Sequence, residues 1–163
     1  MVWKGQKIKL VWHDCDSFDD LPKEKLQQSY GVCFYGDKLV ITKGAGKWNI
    51  VGGHIEKFDL ENGNPISISM LRELEEEVSI GSTVKSKVLG YVNDDFDDVG
   101  SFHFGILYIF ETTSKDVKPK DPEIDNGKLR NIKELEDICL NPYFRVEGWS
   151  KIALEPLKRY LLV

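Results

Sequence analysis

Cysteine is scarce in this chain, and the number of cysteines is odd. Among the 163 residues only Cys15, Cys33 and Cys139 carry a thiol, and no CxxC pair occurs. Small secreted domains usually show an even set of cysteines that pair into disulfides. The scarcity therefore favours a reducing compartment, and we expect a cytoplasmic protein.

Long apolar segments are lacking as well. No apolar run approaches the roughly 18 residues that a membrane-spanning helix needs, and the first residues do not contain the apolar core of a signal peptide. Asn-x-Ser/Thr acceptor sites for glycosylation are also absent. We therefore expect neither membrane insertion nor secretion.

An excess of positive charge is the third feature that the sequence lacks. The chain has 22 Lys and Arg residues against 27 Asp and Glu residues, a formal net charge of -5. Proteins that bind extended nucleic acid normally present a basic face, so we expect no such partner. An anionic small-molecule ligand would need the help of metal ions. The length favours one compact domain over residues 1–163, which could function as a monomer or as a homodimer.

Apolar and β-branched residues predict an α/β fold. Expected strands lie in residues 7–12, 30–35, 38–42, 48–51, 84–92 and 102–110, with a hairpin turn at Gly36-Asp37. Expected helices lie in residues 65–79 and 149–161, and Pro156 should kink or restart the second one. Residues 57–63, 93–100 and 112–127 are expected to be loops. This order predicts a mixed sheet with helices on both faces.

Three glutamates on the first predicted helix are the strongest candidates for chemistry. Glu73, Glu76 and Glu77 are three or four positions apart, so their carboxylates should be neighbours on one helix face. Such carboxylates repel one another unless a cation neutralises them. Mg²⁺, which Mn²⁺ can replace, prefers oxygen ligands and often joins carboxylates to substrate phosphates. A charge run also marks many solvated helices, so the surrounding sequence decides between the two interpretations.

The surrounding sequence resembles the Nudix box. That family pattern is Gly, five residues, Glu, seven residues, then Arg-Glu, an aliphatic, any residue, Glu-Glu, any residue, Gly and an aliphatic. Its matching positions here are Gly53, Arg72, Glu73, Leu74, Glu76, Glu77 and Ile80. The resemblance implies a Nudix-type α/β/α sandwich with a mixed β-sheet.

Three departures from the pattern are present. About five extra residues lie within residues 57–63, Asn64 stands where the first Glu is expected when counting back from Arg72, and Ser79 replaces the last Gly. In the family the first Glu pairs with the box Arg. Glu56 and Glu61 are therefore candidate partners for Arg72.

The resemblance also implies a function. We expect Mg²⁺-dependent hydrolysis of a diphosphate bond in a small nucleotide-like substrate, with Glu73, Glu76 and Glu77 as metal ligands. The Gly52 carbonyl is a further expected ligand, and Glu73 or Glu76 is the expected general base. Gly53 and Arg72 would support the site. The alternative is a Nudix-fold module that binds a nucleotide with weak or no catalysis.

Candidate substrate contacts are less well marked by the sequence. Gly44-Ala-Gly-Lys47 is not a phosphate-binding P-loop because Ile41 and Trp48 stand where Gly and Ser/Thr are required. Lys47 could still reach phosphates, although an exposed turn is the simpler interpretation. His54 follows the double glycine and could line the site. Glu123, or an acid within residues 94–98, could supply an additional carboxylate.

Overall fold

The computed structural model describes residues 2–3, 6–7, 9–56, 59, 65–79, 83–95, 102–116, 118–120, 122 and 124–162. Its helices are α1 (Pro65–Glu77), α2 (Ile132–Leu140) and α3 (Gly148–Leu161), with a 3-10 helix at Lys23–Lys25. Within these ranges none of the helices combines the length and the apolar character needed to cross a bilayer. The strands are β1 (Val2–Trp3), β2 (Gln6–Lys7), β3 (Lys9–Asp14), β4 (Leu26–Tyr35), β5 (Lys38–Gly44), β6 (Lys47–Asn49), β7 (Val51–His54), β8 (Val78–Ser79), β9 (Thr83–Asp95), β10 (Phe102–Thr112), β11 (Lys118–Pro119), β12 (Ile124–Asn131) and β13 (Arg145–Val146).

Nine of the described strands form one mixed sheet. Their order is β13-β6-β5-β4-β10-β9-β3, while β12 pairs with β5 and β7 pairs with β4. The β10–β4 and β13–β6 pairs are parallel, and the other pairs are antiparallel. The predicted mixed sheet is therefore confirmed.

Alternating residues of β10 divide the interior into two cores. Ile106 faces the core that contains Met70 of α1, whereas Leu107 faces the core that contains Leu135 of α2 and Leu157 of α3. Because successive side chains of a strand point to opposite faces, α1 covers one face of the sheet and α2 and α3 cover the other. The α/β/α sandwich is confirmed, with β10 at its centre as expected for a strand that is apolar on both faces.

The predicted hairpin is present at its expected place. Phe34 pairs with Leu39 and Tyr35 with Lys38, so the connection consists of Gly36 and Asp37. Gly36 has φ of +59°, a conformation that is favourable for glycine because it lacks Cβ. The turn chemistry therefore explains why this hairpin could be recognised from the sequence.

The predicted loop over residues 112–127 is wrong in its second half. Residues 124–131 form β12, which pairs with β5 from Gly44 to Lys38. Among the β12 residues only Gly127 is buried, so the segment lacks the apolar alternation that marks most strands. Backbone hydrogen bonds to an already buried neighbour hold it in place.

Other boundaries also differ from those predicted. Helix α1 ends at Glu77 because Val78 and Ser79 pair with Lys118 and Pro119 in a separate two-stranded sheet. The strand predicted over residues 48–51 divides at Ile50, since β6 pairs with β5 and β7 pairs with β4. Helix α3 continues through Pro156, although proline supplies no N–H for the helical hydrogen bond.

The two C-terminal helices are joined by Glu136. Its carboxylate accepts hydrogen bonds from Lys158 of α3 at 2.7 Å and from Lys133 at 2.9 Å. These bonds, with that from Lys158 the stronger cause, lower the pKa of Glu136 from 4.5 to about 2. Because the folded-state pKa lies below the unfolded value, the resulting stabilisation is present above about pH 4.5 and is lost as the pH falls towards 2.

We therefore expect Glu136→Gln to lower the melting temperature at pH 7. The difference from the wild type should shrink as the pH falls from 4.5 to 2, because the wild-type carboxyl becomes protonated over that interval. Thermal unfolding followed by circular dichroism at a series of pH values would measure this. A difference that stays constant over the interval would contradict the expectation.

Candidate active site

Helix α1 places its glutamates at the surface by burying its opposite face. Met70 and Leu74 are 0% and 2% exposed in the core beneath the helix. Glu73 and Glu76, three residues apart, carry their carboxylates on another face. Glu77 also belongs to α1, but its side chain lies outside the described atoms. The structure thus brings Glu73 and Glu76 together, as the sequence predicted.

A guanidinium group lies between these two carboxylates. Arg72 Nη1 is 2.9 Å from Glu73 Oε1 and 3.1 Å from Glu76 Oε2. One positive charge is therefore shared by two negative side chains. This arrangement relieves the repulsion expected between neighbouring carboxylates on a helix.

The other side of the same guanidinium group holds the segment that precedes α1. Arg72 Nη2 donates to Asp59 Oδ2 at 3.1 Å and to the His54 carbonyl at 3.2 Å. Asp59 is fully buried, and its Oδ2 also accepts the Glu56 backbone N–H at 2.8 Å. Arg72 thereby ties residues 54–59 to the glutamate face of α1.

Asp59 is the site residue that the sequence prediction missed. Counting back from Arg72 led to Asn64, and Glu56 and Glu61 were considered as partners for the arginine. Counting forward six positions from Gly53 instead reaches Asp59, which stands where the Nudix pattern has its first Glu. The extra residues therefore follow the acid rather than precede it. Asn64 and Glu61 lie outside the described residues.

The double glycine of β7 makes room for side chains on both faces of the strand. A Cβ on Gly53 would overlap with the Glu73 carboxylate, and a Cβ on Gly52 would overlap with the Tyr30 ring. Glu73 consequently lies directly against the backbone of β7. Any larger residue at position 53 would displace this carboxylate.

Burial raises the pKa of Glu73, and the neighbouring Arg72 guanidinium partly opposes that increase. The side chain of Glu73 is 16% exposed, compared with 59% for Glu76. Desolvation disfavours the charged form of a carboxyl group, so Glu73 is the more basic of the two. A bound cation would shift Glu73 towards its ionised form.

The chemistry of these side chains fits a hard divalent cation. Glu73 and Glu76 supply oxygen ligands, which Mg²⁺ and Mn²⁺ prefer. Within the described part of the chain, no three His, Cys, Asp or Glu side chains are arranged to hold a metal ion. The described carboxylates therefore form a partial ligand set, which Glu77 and the Gly52 carbonyl would complete.

The remaining predicted contacts lie at different places in the fold. Lys47 lies on β6, where its Nζ forms an ion pair with Glu147 at 2.5 Å. His54 is exposed at the end of β7, and its charge acts to lower the pKa of Glu73. Glu123 lies outside the described residues. Substrate contacts by all three stay predictions.

Comparisons with known proteins agree with this architecture. A family model described as the NUDIX domain matches residues 25–147. Protein YmaB of Bacillus subtilis is 31% identical over 112 residues, which cover 66% of this chain and 53% of that protein. The chain thus spans about half the length of this curated relative.

Solved structures of similar fold include three informative examples. Tm1382, named as a candidate Nudix hydrolase, is 29% identical with a TM-score of 0.64, covering 83% of this chain and 72% of that one. A mutant of the Bacillus subtilis pyrophosphohydrolase BsRppH is 21% identical with a TM-score of 0.61, covering 94% and 90%. The NUDIX domain of Shewanella oneidensis NrtR, complexed with ADP ribose, is 15% identical with a TM-score of 0.58, covering 88% and 92%.

Proposed function

The chain belongs to the Nudix family, and from this premise we propose that it hydrolyses a diphosphate bond in a nucleoside diphosphate derivative or a nucleoside triphosphate. The observation that carries the proposal is the pair of carboxylates, Glu73 and Glu76, held beside Gly53 on one face of α1. The reaction consumes one water molecule and breaks one bridging P–O bond. Further support comes from relatives whose names include a pyrophosphohydrolase and a complex with ADP ribose.

The proposed cofactor is Mg²⁺, with Mn²⁺ as a substitute. Glu73, Glu76 and Glu77 would hold the ion together with the Gly52 carbonyl. When bound, Mg²⁺ supplies positive charge that offsets the charge of the diphosphate group in the transition state. An acidic chain with a net charge of -5 needs such help to bind an anionic substrate.

The protein's own side chains have separate roles in this proposal. Glu73 accepts the proton of the attacking water, since its raised pKa makes it the stronger base. Arg72 is a positioning residue that keeps Glu73 and Glu76 side by side. Asp59, buried behind Arg72, fixes the guanidinium group and does not contact the substrate.

A substrate panel tests this proposal. Purified protein would be incubated with nucleotide sugars, dinucleoside polyphosphates and nucleoside triphosphates, with Mg²⁺ or with EDTA. We expect at least one nucleotide to be cleaved at a diphosphate bond, with the activity lost in EDTA and restored by Mg²⁺ or Mn²⁺. Absence of turnover across the panel would reject the hydrolase proposal.

The alternative remains a Nudix-fold module that binds a nucleotide without cleaving it. The ion pairs of Arg72 with Glu73 and Glu76 favour it to some extent, because they already neutralise the carboxylates. Calorimetry showing tight, metal-independent nucleotide binding by a protein without turnover would support it. A small nucleotide partner, a cytoplasmic location and the choice between monomer and homodimer stay predictions.

A further inference from the structure

Strand β7 separates the candidate active site from an aromatic surface. Gly53 lies beneath the Glu73 carboxylate, whereas Gly52, whose Cβ would point to the opposite face, lies beneath the Tyr30 ring. In the described part of the chain β7 pairs with β4 alone. A ligand can therefore pass over the unpaired edge of β7 from one face to the other.

The aromatic surface consists of Tyr30, Trp149 and Trp12. The rings of Tyr30 and Trp149 are stacked, with centroids 4.6 Å apart and planes inclined by 22°. Trp149 lies over Gly105 and Trp12 lies over Gly90, and a Cβ on either glycine would overlap with the ring. The missing side chains lower the floor of the sheet on this face and allow three rings to gather there.

Unfilled apolar space lies between these rings and helix α3. Its lining includes Trp12, Tyr30, Val92, Gly105, Trp149 and Ala153. Trp149 itself is only partly buried. Concave apolar space bordered by aromatic rings is typical of sites that bind planar organic groups.

Register places this surface at a suitable distance from the carboxylates. His54 of β7, Gln28 of β4 and Gly105 of β10 lie opposite one another, so Trp149 is two strand spacings, about 10 Å, from β7. Two polar groups border the path. His54 is exposed and acts electrostatically on Glu73, and Gln28 accepts a hydrogen bond from the Tyr30 hydroxyl at 2.6 Å.

We propose that the aromatic surface binds the heteroaromatic base of the substrate by stacking on Trp149, while the diphosphate group reaches Glu73 and Glu76 across the edge of β7. This inference rests on the proposed function and adds a second contact region to it. Because every base has a π-face, stacking tolerates different bases. The surface should therefore distinguish nucleotides from base-free phosphates rather than one base from another.

Binding of AMP and of ribose phosphate to the full chain, without metal, tests the proposal independently of turnover. Affinities would be measured by calorimetry, and the tryptophan indole N–H signals would be followed by NMR. We expect AMP to shift the Trp149 signal and to bind at least about tenfold more tightly than ribose phosphate. Equal affinities, or an unshifted Trp149 signal, would overturn the inference.

Two variants separate stacking from a merely structural role of Trp149. Trp149→Ala removes the ring, and Gly105→Ala displaces it while leaving the indole in the protein. Both should weaken AMP binding about tenfold or more and leave ribose phosphate binding unchanged. Trp48→Phe is the control, since Trp48 packs against Phe144 away from the aromatic surface.

The outcomes distinguish failure of this inference from failure of the proposed function. Turnover of nucleotides with unchanged AMP affinity in both folded variants would reject the base-stacking site and retain the hydrolase. Trp149-dependent AMP binding by a protein that cleaves no nucleotide would retain the stacking site and reject the hydrolase. Thermal unfolding would establish that each variant is folded before its affinity is interpreted.

Discussion

Replacing Glu76 by glutamine is expected to lower turnover of the best nucleotide substrate by about a hundredfold. Glutamine keeps the shape of the side chain but removes the negative charge that attracts a divalent cation. Loss of a residue that merely supports a metal ligand typically costs between about tenfold and a hundredfold, so loss of a ligand should reach the upper end of that range. The measurement is the steady-state rate at saturating Mg²⁺.

Glu75→Gln provides the matched control. Glu75 belongs to the same helix and is exposed, but it lies between Glu73 and Glu76 in sequence and so points to a different side of α1. Its substitution changes the net charge equally and should leave turnover within about twofold of the wild type. Equal losses in both variants would indicate a general effect of charge, and full activity of Glu76→Gln would remove Glu76 from the site.

Replacing Asp59 by alanine is expected to reduce the free energy of unfolding by about 3 kcal/mol. Asp59 is 0% exposed and is paired with Arg72 at 3.1 Å. Removal of one partner from a buried ion pair leaves the other charge without compensation, which is more costly than the pair itself is stabilising. For a protein of this size the melting temperature should fall by about 6–12 °C.

Glu56→Gln is the control for Asp59. Glu56 donates only its backbone N–H to Asp59, and its side chain is exposed, so the substitution should change stability by less than about 0.5 kcal/mol. Asp59→Ala should also reduce activity, since Arg72 would no longer be fixed. If Glu56→Gln proved as destabilising as Asp59→Ala, the pairing of Arg72 with Asp59 would not be the main support of this loop.

Local chemistry made several features predictable from the sequence. The hairpin at Gly36-Asp37 was recognisable because its turn residues are specific, and the central position of β10 followed from apolar residues on both faces. The glutamate face of α1 was recognisable because a helix brings residues three positions apart together. The family match over residues 25–147 confirms the Nudix assignment made from the box.

Features that depend on distant pairing could not be predicted. Strand β12 has little apolar alternation, and its hydrogen bonds to β5 come from tertiary structure. Helix α1 gave no local signal for its end at Glu77, because the next two residues pair with Lys118 and Pro119. Asp59 was overlooked because an insertion makes its position depend on the end of the motif from which one counts.

Gly52 and Gly53 offer protein engineers two adjacent positions with separate effects. Alanine at position 53 would disturb the carboxylate that is proposed for the reaction, while alanine at position 52 would disturb the ring of Tyr30. Both substitutions are small, uncharged and one residue apart. Selecting variants at these two codons could therefore adjust reaction rate and ligand preference independently within one short stretch of the gene.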